Sequence, residues 1–217
     1  MSGQTAAERA AETKKRRTLE KLLSATDKLV YKGTEFPQVA DIVAEAGVSQ
    51  ATYYNFFPTR ADLVAAVFDV SVDGPLDVIC FNIQQRFPDA INAPAGLSEE
   101  DQLRFARLQL YVREFMNRCI PRRSLIREVL AIRVQGDEIS KSYYPGRTYF
   151  GTDRVPMIEM HLQQVLEPLS AASYTFVQPL ALMLLEQVAV GKRVLTDQLI
   201  REFFRAIASA DANASLT

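Results

Sequence analysis

Apolar residues recur at helical spacing along most of the chain. Near the N-terminus, Leu19, Leu22, Leu23, Thr26, Leu29 and Val30 follow this spacing and predict one helix over residues 5–32. Similar patterns predict later helices at about 59–73, 76–87, 98–120, 121–132, 153–168, 171–191 and 196–210. No alternating strand pattern persists. We therefore predict an all-α fold.

Glycine, proline and hydroxyl residues divide the N-terminal region into short helices. Gly33 is expected to end the first helix in the left-handed conformation, and Pro37 to open a second, which Gly47 ends. Ser49 is expected to cap a third helix, which closes before Pro58. Thr59 and Asp62 form a capping-box pattern for a fourth helix, and Gly74-Pro75 is expected to break it.

An unbroken row of aromatic and polar residues, TYYNFF, occupies positions 52–57. At about 100° per residue, one side of this helix faces inward with Val48, Tyr53, Phe56 and Phe57. The other side presents Gln50, Ala51, Thr52, Tyr54 and Asn55 to solvent. Two short helices joined by a tight Gly-Val-Ser turn form a helix-turn-helix unit, and the outward side chains suit base edges and phosphates.

Positive charge is mildly concentrated towards the N-terminus. Residues 1–60 carry 9 Lys and Arg against 7 Asp and Glu, a net +2, which leaves 16 against 19, a net −3, for residues 61–217. The KKRR run over residues 14–17 is either a basic arm that contacts DNA or a solvated helical extension. The candidate DNA contacts are Lys14, Lys15, Arg16, Arg17, Ser49, Gln50, Ala51, Thr52, Tyr54, Asn55 and Arg60.

The pattern G-x5-V-x2-I-x3-A-G-V-S-x2-T-x-Y-x2-F-x-T-R runs from Gly33 to Arg60 without a gap. Over about residues 15–68 the chain resembles the DNA-binding domain of the TetR family of transcriptional regulators. The resemblance implies a homodimeric repressor in which Thr52, Tyr54 and Arg60 touch phosphates and Gln50, Ala51 and Asn55 face bases or backbone. The chain departs from the family's usual residues at Pro37, Val43, Asn55 and Arg60, which bears on its base preferences.

The resemblance also implies two domains. We expect a helix-turn-helix DNA-binding domain over residues 1–58, with an N-terminal extension at 1–17, and a C-terminal helical ligand-binding and dimerisation domain over 59–217. The composition indicates a small, largely apolar inducer. Candidate ligand contacts are polar or aromatic residues within apolar helical faces, each of which is also explained as plain core: Tyr111, Phe115, Met116, Cys119, His161, Gln164, Tyr174 and Gln178.

The last two predicted helices carry wide apolar stripes. These stripes are either internal core or a dimer interface to which each subunit contributes two helices. The candidate interface residues are Phe176, Leu180, Met183, Leu184, Leu199, Phe203 and Ile207.

Several other functional classes find no support in the sequence. Sequence motifs of hydrolases, nucleotide-binding proteins and zinc proteases are missing, and the single histidine, His161, has no cluster of metal ligands around it. We therefore expect no enzyme activity, no cofactor and no metal. Cys80 and Cys119 are interpreted as core thiols rather than a redox pair. With no signal peptide and no membrane span, we expect a cytoplasmic protein.

Two alternatives to a ligand-released repressor stay open at this point. One is a helical DNA-binding or adaptor protein that responds to no ligand. The other is an activator of the TetR type.

Overall fold

The computed structural model describes residues 5–84, 95–135, 154–191 and 197–214. This part of the chain is helical and contains no strand, which confirms the predicted all-α fold. The helices are α1 (Ala6–Val30), α2 (Val39–Ala46), α3 (Gln50–Phe56), α4 (Arg60–Phe68), α5 (Gly74–Gln84), α6 (Glu99–Cys119), α7 (Arg123–Gln135), α8 (Val155–Leu166), α9 (Ala171–Tyr174), α10 (Val177–Val190) and α11 (Asp197–Ala214).

The caps of the first helices follow the sequence with two exceptions. The left-handed residue after α1 is Lys32, with φ of 62°, and not Gly33. Glycine is still required at 33, because an added Cβ would lie 2.6 Å from the carbonyl oxygen of Leu29. Pro37 does not open α2 either. Gln38 is the N-cap, in a capping box with Asp41, so the proline precedes the helix.

The predicted break at Gly74-Pro75 is wrong. Helix α4 passes through a π-helical segment, Asp69–Asp73, directly into α5, and Gly74 is helical with φ of −57° and ψ of −44°. The amide of Gly74 donates to the carbonyl of Asp69. A widened π turn just before the proline accommodates its missing N–H group, which would otherwise interrupt an α-helical ladder. Residues 60–84 therefore form one long helical rod.

The C-terminal helices show smaller differences from the prediction. A 3-10 turn, Ile120–Arg122, takes up Pro121, so that α7 begins at Arg123. The predicted helix over 171–191 is divided into α9 and α10. Ser98 caps α6 as expected, with its hydroxyl accepting from the amide of Asp101. The loop predicted at 140–152 lies outside the described residues, and so does most of the loop predicted at 88–96.

One continuous apolar core joins the N-terminal helices to the C-terminal ones. It runs from Leu22 in α1 through Phe57 and Phe68 to Phe115 in α6 and Phe204 in α11, all buried. Both cysteines lie in it as free buried thiols. Burial raises the pKa of Cys80 to about 12 and that of Cys119 still further, which keeps both protonated near neutral pH.

Polar contacts fix the end of α1 against the C-terminal helices. Arg122 donates to both carboxylate oxygens of Asp27, at 2.6 and 2.9 Å. The guanidinium of Arg122 also lies over the ring of Tyr31, and the amide of Lys32 donates to the carbonyl of Pro121 at 2.5 Å. The C-terminal end of α1 thus faces the larger helical region, and its N-terminal end points away from it.

Candidate nucleic-acid interface

Helices α2 and α3 form the predicted helix-turn-helix unit. Gly47 ends α2 with φ of 65°, a left-handed conformation that suits glycine. Ser49 caps α3, and its hydroxyl accepts from the amide of Thr52 at 3.1 Å. The turn between the two helices therefore has only a few residues, and their relative angle is set by the chemistry of Gly47 and Ser49.

The inner side of α3 is fixed by aromatic packing. Tyr53, Phe56 and Phe57 are buried, as the helical pattern predicts. The rings of Tyr53 and Phe57 lie 5.8 Å apart, and those of Phe56 and Phe57 lie 6.4 Å apart. Burial raises the pKa of Tyr53 to about 12, so this side chain stays neutral. A seven-residue helix has little stability of its own, and these rings supply its anchorage.

The outer side of α3 carries hydrogen-bonding groups and no charge. Gln50, Ala51, Tyr54 and Asn55 are exposed, in agreement with the predicted face. Tyr54 is 53% exposed and packs edge-on against the Tyr53 ring, with the ring centroids 5.2 Å apart. Carboxamides can pair with an adenine edge, and an alanine methyl can touch a thymine methyl. This surface is therefore suited to reading bases in a major groove.

Thr52 is less available than the rest of that face. It is half-buried, and its hydroxyl lies 2.9 Å from the hydroxyl of Ser49. The two hydroxyls form a small polar pair at the start of α3. The positive end of the helix dipole lies at the same place, so this pair is well placed beside a phosphate.

Arg60, expected beside a phosphate, has an intramolecular partner. Its guanidinium donates to Glu128 of α7, with Nε–oxygen and NH2–oxygen distances of 2.7 and 3.0 Å. It also lies over the ring of Phe36, 4.7 Å from the centroid. The hydrogen bond to Glu128 raises the pKa of Arg60. Sequence reasoning missed Glu128, because it lies 68 residues away and no local pattern marks it.

The KKRR run lies on the exposed N-terminal part of α1. The helix begins with a capping box between Thr5 and Glu8, and Leu22 is its first buried residue. All four side chains of the run are exposed. Arg16 is paired with Glu20, at 3.6 Å. Since the run covers more than one helical turn, its members point in different directions and cannot all face the same partner.

The predicted ligand residues fall into three groups by burial. Tyr111, Phe115, Cys119 and His161 are fully buried, and the ring centroids of Tyr111 and His161 lie 6.0 Å apart. Met116 and Gln164 are half-buried. Tyr174 and Gln178, by contrast, are exposed on this chain.

Sequence reasoning missed a row of aspartates beside His161. Nε2 of His161 lies 3.4 Å from Oδ1 of the buried Asp73 and 3.9 Å from Oδ1 of Asp77. Asp69, on the same rod, pairs with the buried Arg154 at 2.7 Å. The spacing 69, 73, 77 could have revealed this row. The expected break at Gly74-Pro75 concealed it, because it placed these residues on separate helices.

The predicted interface residues of α10 and α11 also differ in burial. Leu180, Leu184 and Ile207 lie in the chain's own core, whereas Phe176, Met183 and Phe203 are half-buried at its edge. The side chain of Leu199 lies outside the described part.

Two structural findings bear on other classes of protein. Among the described residues, no three His, Cys, Asp or Glu side chains are grouped so as to hold a metal ion. Within the same residues, no helix is both long enough and apolar enough to cross a membrane.

Comparison with known proteins agrees with the site. Residues 22–67 match the family model described as bacterial regulatory proteins, tetR family. One solved structure that matches is a candidate TetR-family transcriptional regulator from Mesorhizobium loti MAFF303099, with 16% identity and a TM-score of 0.47 over 91% of this chain and 96% of that one. No curated protein matches the sequence. The family match contains the whole helix-turn-helix unit, and residues 22–67 form a DNA-binding domain of this family.

Proposed function

We propose that the chain is a repressor that binds its operator as a homodimer and is released by a small, largely apolar ligand. The observation that carries the DNA-binding part is the two-sided α3. Its inner side is anchored by three buried rings, and its outer side offers carboxamides, a methyl group and a phenol to the groove. The N-terminal domain is taken as residues 1–58 and the ligand-binding and dimerisation domain as 59–217.

Individual contacts follow from this arrangement. Gln50, Ala51 and Asn55 meet base edges, while Ser49, Thr52 and Tyr54 position the helix on phosphates. Arg60 joins these phosphate contacts when it leaves Glu128. Since α3 has no charged side chain, its base contacts supply discrimination, and the affinity that depends on salt comes from basic residues elsewhere. A regulator with this partner acts in the cytoplasm.

The ligand is proposed to act at the middle of the α4–α5 rod. Tyr111, His161 and Asp73 meet there from three different segments, and the Asp69–Arg154 ion pair lies on the same rod. Arg60 lies at the start of the same rod, about 20 Å from Asp73 at 1.5 Å per residue. A ligand that moves the rod at Asp73 would therefore also move the end that adjoins α3.

The homodimer is proposed to form through α10 and α11. Phe176, Met183 and Phe203 are only half-buried in the chain, so a partner can cover them further. In a two-fold dimer, the spacing of the two α3 helices sets which half-site separation is bound.

The test is DNA binding followed by ligand release. Operator duplexes would be isolated by in vitro selection with the full-length chain, and affinity measured by fluorescence anisotropy. Selective binding that a small apolar compound weakens supports the proposal. Selective binding that no compound from a broad panel alters favours a ligand-independent DNA-binding protein. An increase in transcription from the operator would identify an activator instead.

A further inference from the structure

The exposed part of α1 has a basic side. Four side chains lie within an arc of about 140° around the helix at 100° per residue: Arg9, Lys14, Arg17 and Lys21. All four line one shallow surface groove together with Thr13 and Thr18. We call this set of four residues the α1 basic stripe.

The other charges of α1 are arranged so that the stripe stays positive. Glu8 lies on the opposite side of the helix and is occupied in the N-terminal capping box, and Glu12 lies about 60° outside the arc. Glu20 lies within the arc, but it pairs with Arg16, which lies about 20° outside it, so the charge of Glu20 is balanced. Within the described residues, no carboxylate pairs with any of the four stripe side chains. The hydroxyls of Thr13 and Thr18 are turned back to the helix carbonyls of Arg9 and Lys14.

The direction of α1 places the stripe at the far end of the DNA-binding domain. The other end of the helix is held against the C-terminal region through Asp27 and Lys32. Arg9 lies 18 residues before Asp27, which is about 27 Å along a straight helix. The stripe therefore lies on the part of α1 that extends away from the C-terminal region, where its side chains are exposed to a partner.

We infer that the α1 basic stripe binds the phosphate backbone of the DNA that flanks each half-site. This inference rests on the proposed DNA-binding function and adds a second contact surface to it. Its four cations suit a row of phosphates, and α3 itself has no cation to offer. From Arg9 to Lys21 the stripe is about 18 Å long, close to the rise of five base pairs. Because backbone contacts carry no base information, the stripe should add affinity and not discrimination.

The KKRR run supplies a matched pair of variants for the test. K14Q/R17Q removes two charges from the stripe. The control, K15Q/R16Q, removes two charges from the other directions of the same run and also carries E20Q, because Glu20 without Arg16 would neutralise part of the stripe. Circular dichroism would check that both retain the wild-type helix content. Anisotropy titrations between 50 and 200 mM salt would use the selected operator and a random duplex.

For K14Q/R17Q we expect the slope of log K against log salt to become shallower by about two, on both duplexes. The ratio of wild-type to variant affinity would then fall about tenfold from 50 to 200 mM salt. We expect the control, K15Q/R16Q/E20Q, to keep the wild-type slope. An operator shortened by five base pairs at each end should remove the difference between the two variants.

The outcomes separate this inference from the proposed function. Equal slopes for the two variants would overturn the inference that the α1 basic stripe binds DNA, even if wild-type binding is selective. A shallower slope for K14Q/R17Q alone, without selectivity on any duplex, would support the stripe and contradict the proposed function. Absence of DNA binding by the wild-type chain would overturn both.

Discussion

The guanidinium of Arg60 and the carboxylate of Glu128 form a two-point ion pair between the first residue of α4 and the middle of α7. Its distances are 2.7 and 3.0 Å. The arginine side chain remains 47% exposed and the glutamate 26% exposed. Arg60 thus has a protein partner in the same place where the family resemblance implies a phosphate. The carboxylate and the DNA compete for one cation.

Glu128→Gln should therefore tighten DNA binding. A half-exposed ion pair contributes at most about 1 kcal/mol, so we expect a two- to fivefold lower Kd for the operator. Anisotropy at fixed salt measures this change. Glu186→Gln, an exposed site on α10, removes the same charge without touching Arg60. If both variants bind the operator more tightly by the same factor, the effect comes from net charge. Competition between Glu128 and DNA for Arg60 would then be contradicted.

Substitution on the outer side of α3 should reduce discrimination between duplexes. Because Gln50 and Asn55 are exposed, replacing each by alanine should leave the free energy of unfolding within about 0.5 kcal/mol of wild type. Loss of a paired base contact should cost about 1–3 kcal/mol on the operator and little on a random duplex. Parallel titrations of both duplexes check this. A uniform loss on both would show that these side chains meet only the backbone.

Local chemistry made much of the DNA-binding region predictable. The caps at Ser49 and Thr59, the left-handed Gly47 and the two sides of α3 depend on residues a few positions apart, and the structure confirms them. The partner of Arg60 and the surroundings of His161 depend on residues tens of positions away. No sequence spacing encodes the former. The surroundings of His161 depend on a π turn that carries the helix through Gly74-Pro75, where the sequence predicts a break.

The packing of α11 should weaken at acid pH, when Asp211 becomes protonated. Burial tends to raise the pKa of this carboxylate, but hydrogen bonds from Ser170, Ser173 and Arg104 outweigh it and lower the pKa to about 2. A depressed pKa means that its stabilisation is present above about pH 4 and is lost as pH falls towards 2. Because solvent partly screens this carboxylate, Asp211→Asn should reduce the free energy of unfolding by about 1 kcal/mol at pH 7.

Urea unfolding at pH 7 and at successively lower pH would test this. The difference between wild type and Asp211→Asn should shrink as the pH drops below about 4. Glu202→Gln, on the exposed side of the same helix, serves as the control. If the difference between wild type and Asp211→Asn is the same at every pH, the carboxylate has no special role.

The proposed dimer interface can be tested by introducing charge on its half-buried apolar edge. Met183→Glu and Phe203→Glu should each convert a dimer to a monomer, because an unpaired carboxylate is costly inside an interface. Val190→Glu, at a site already 66% exposed, should leave the dimer intact. Light scattering gives the mass, and circular dichroism checks the fold. If Met183→Glu and Phe203→Glu both remain dimers, the interface lies elsewhere.

The central claim is that the outer side of α3 reads a DNA sequence. Fluorescence anisotropy of the full-length chain tests it most directly, on labelled duplexes from the region upstream of its own gene and from in vitro selection, with a random duplex as control. We predict binding to at least one of these duplexes that persists at physiological salt and is at least a thousandfold tighter than binding to the random duplex. Weak binding, equal on all duplexes and lost as salt rises, would contradict it.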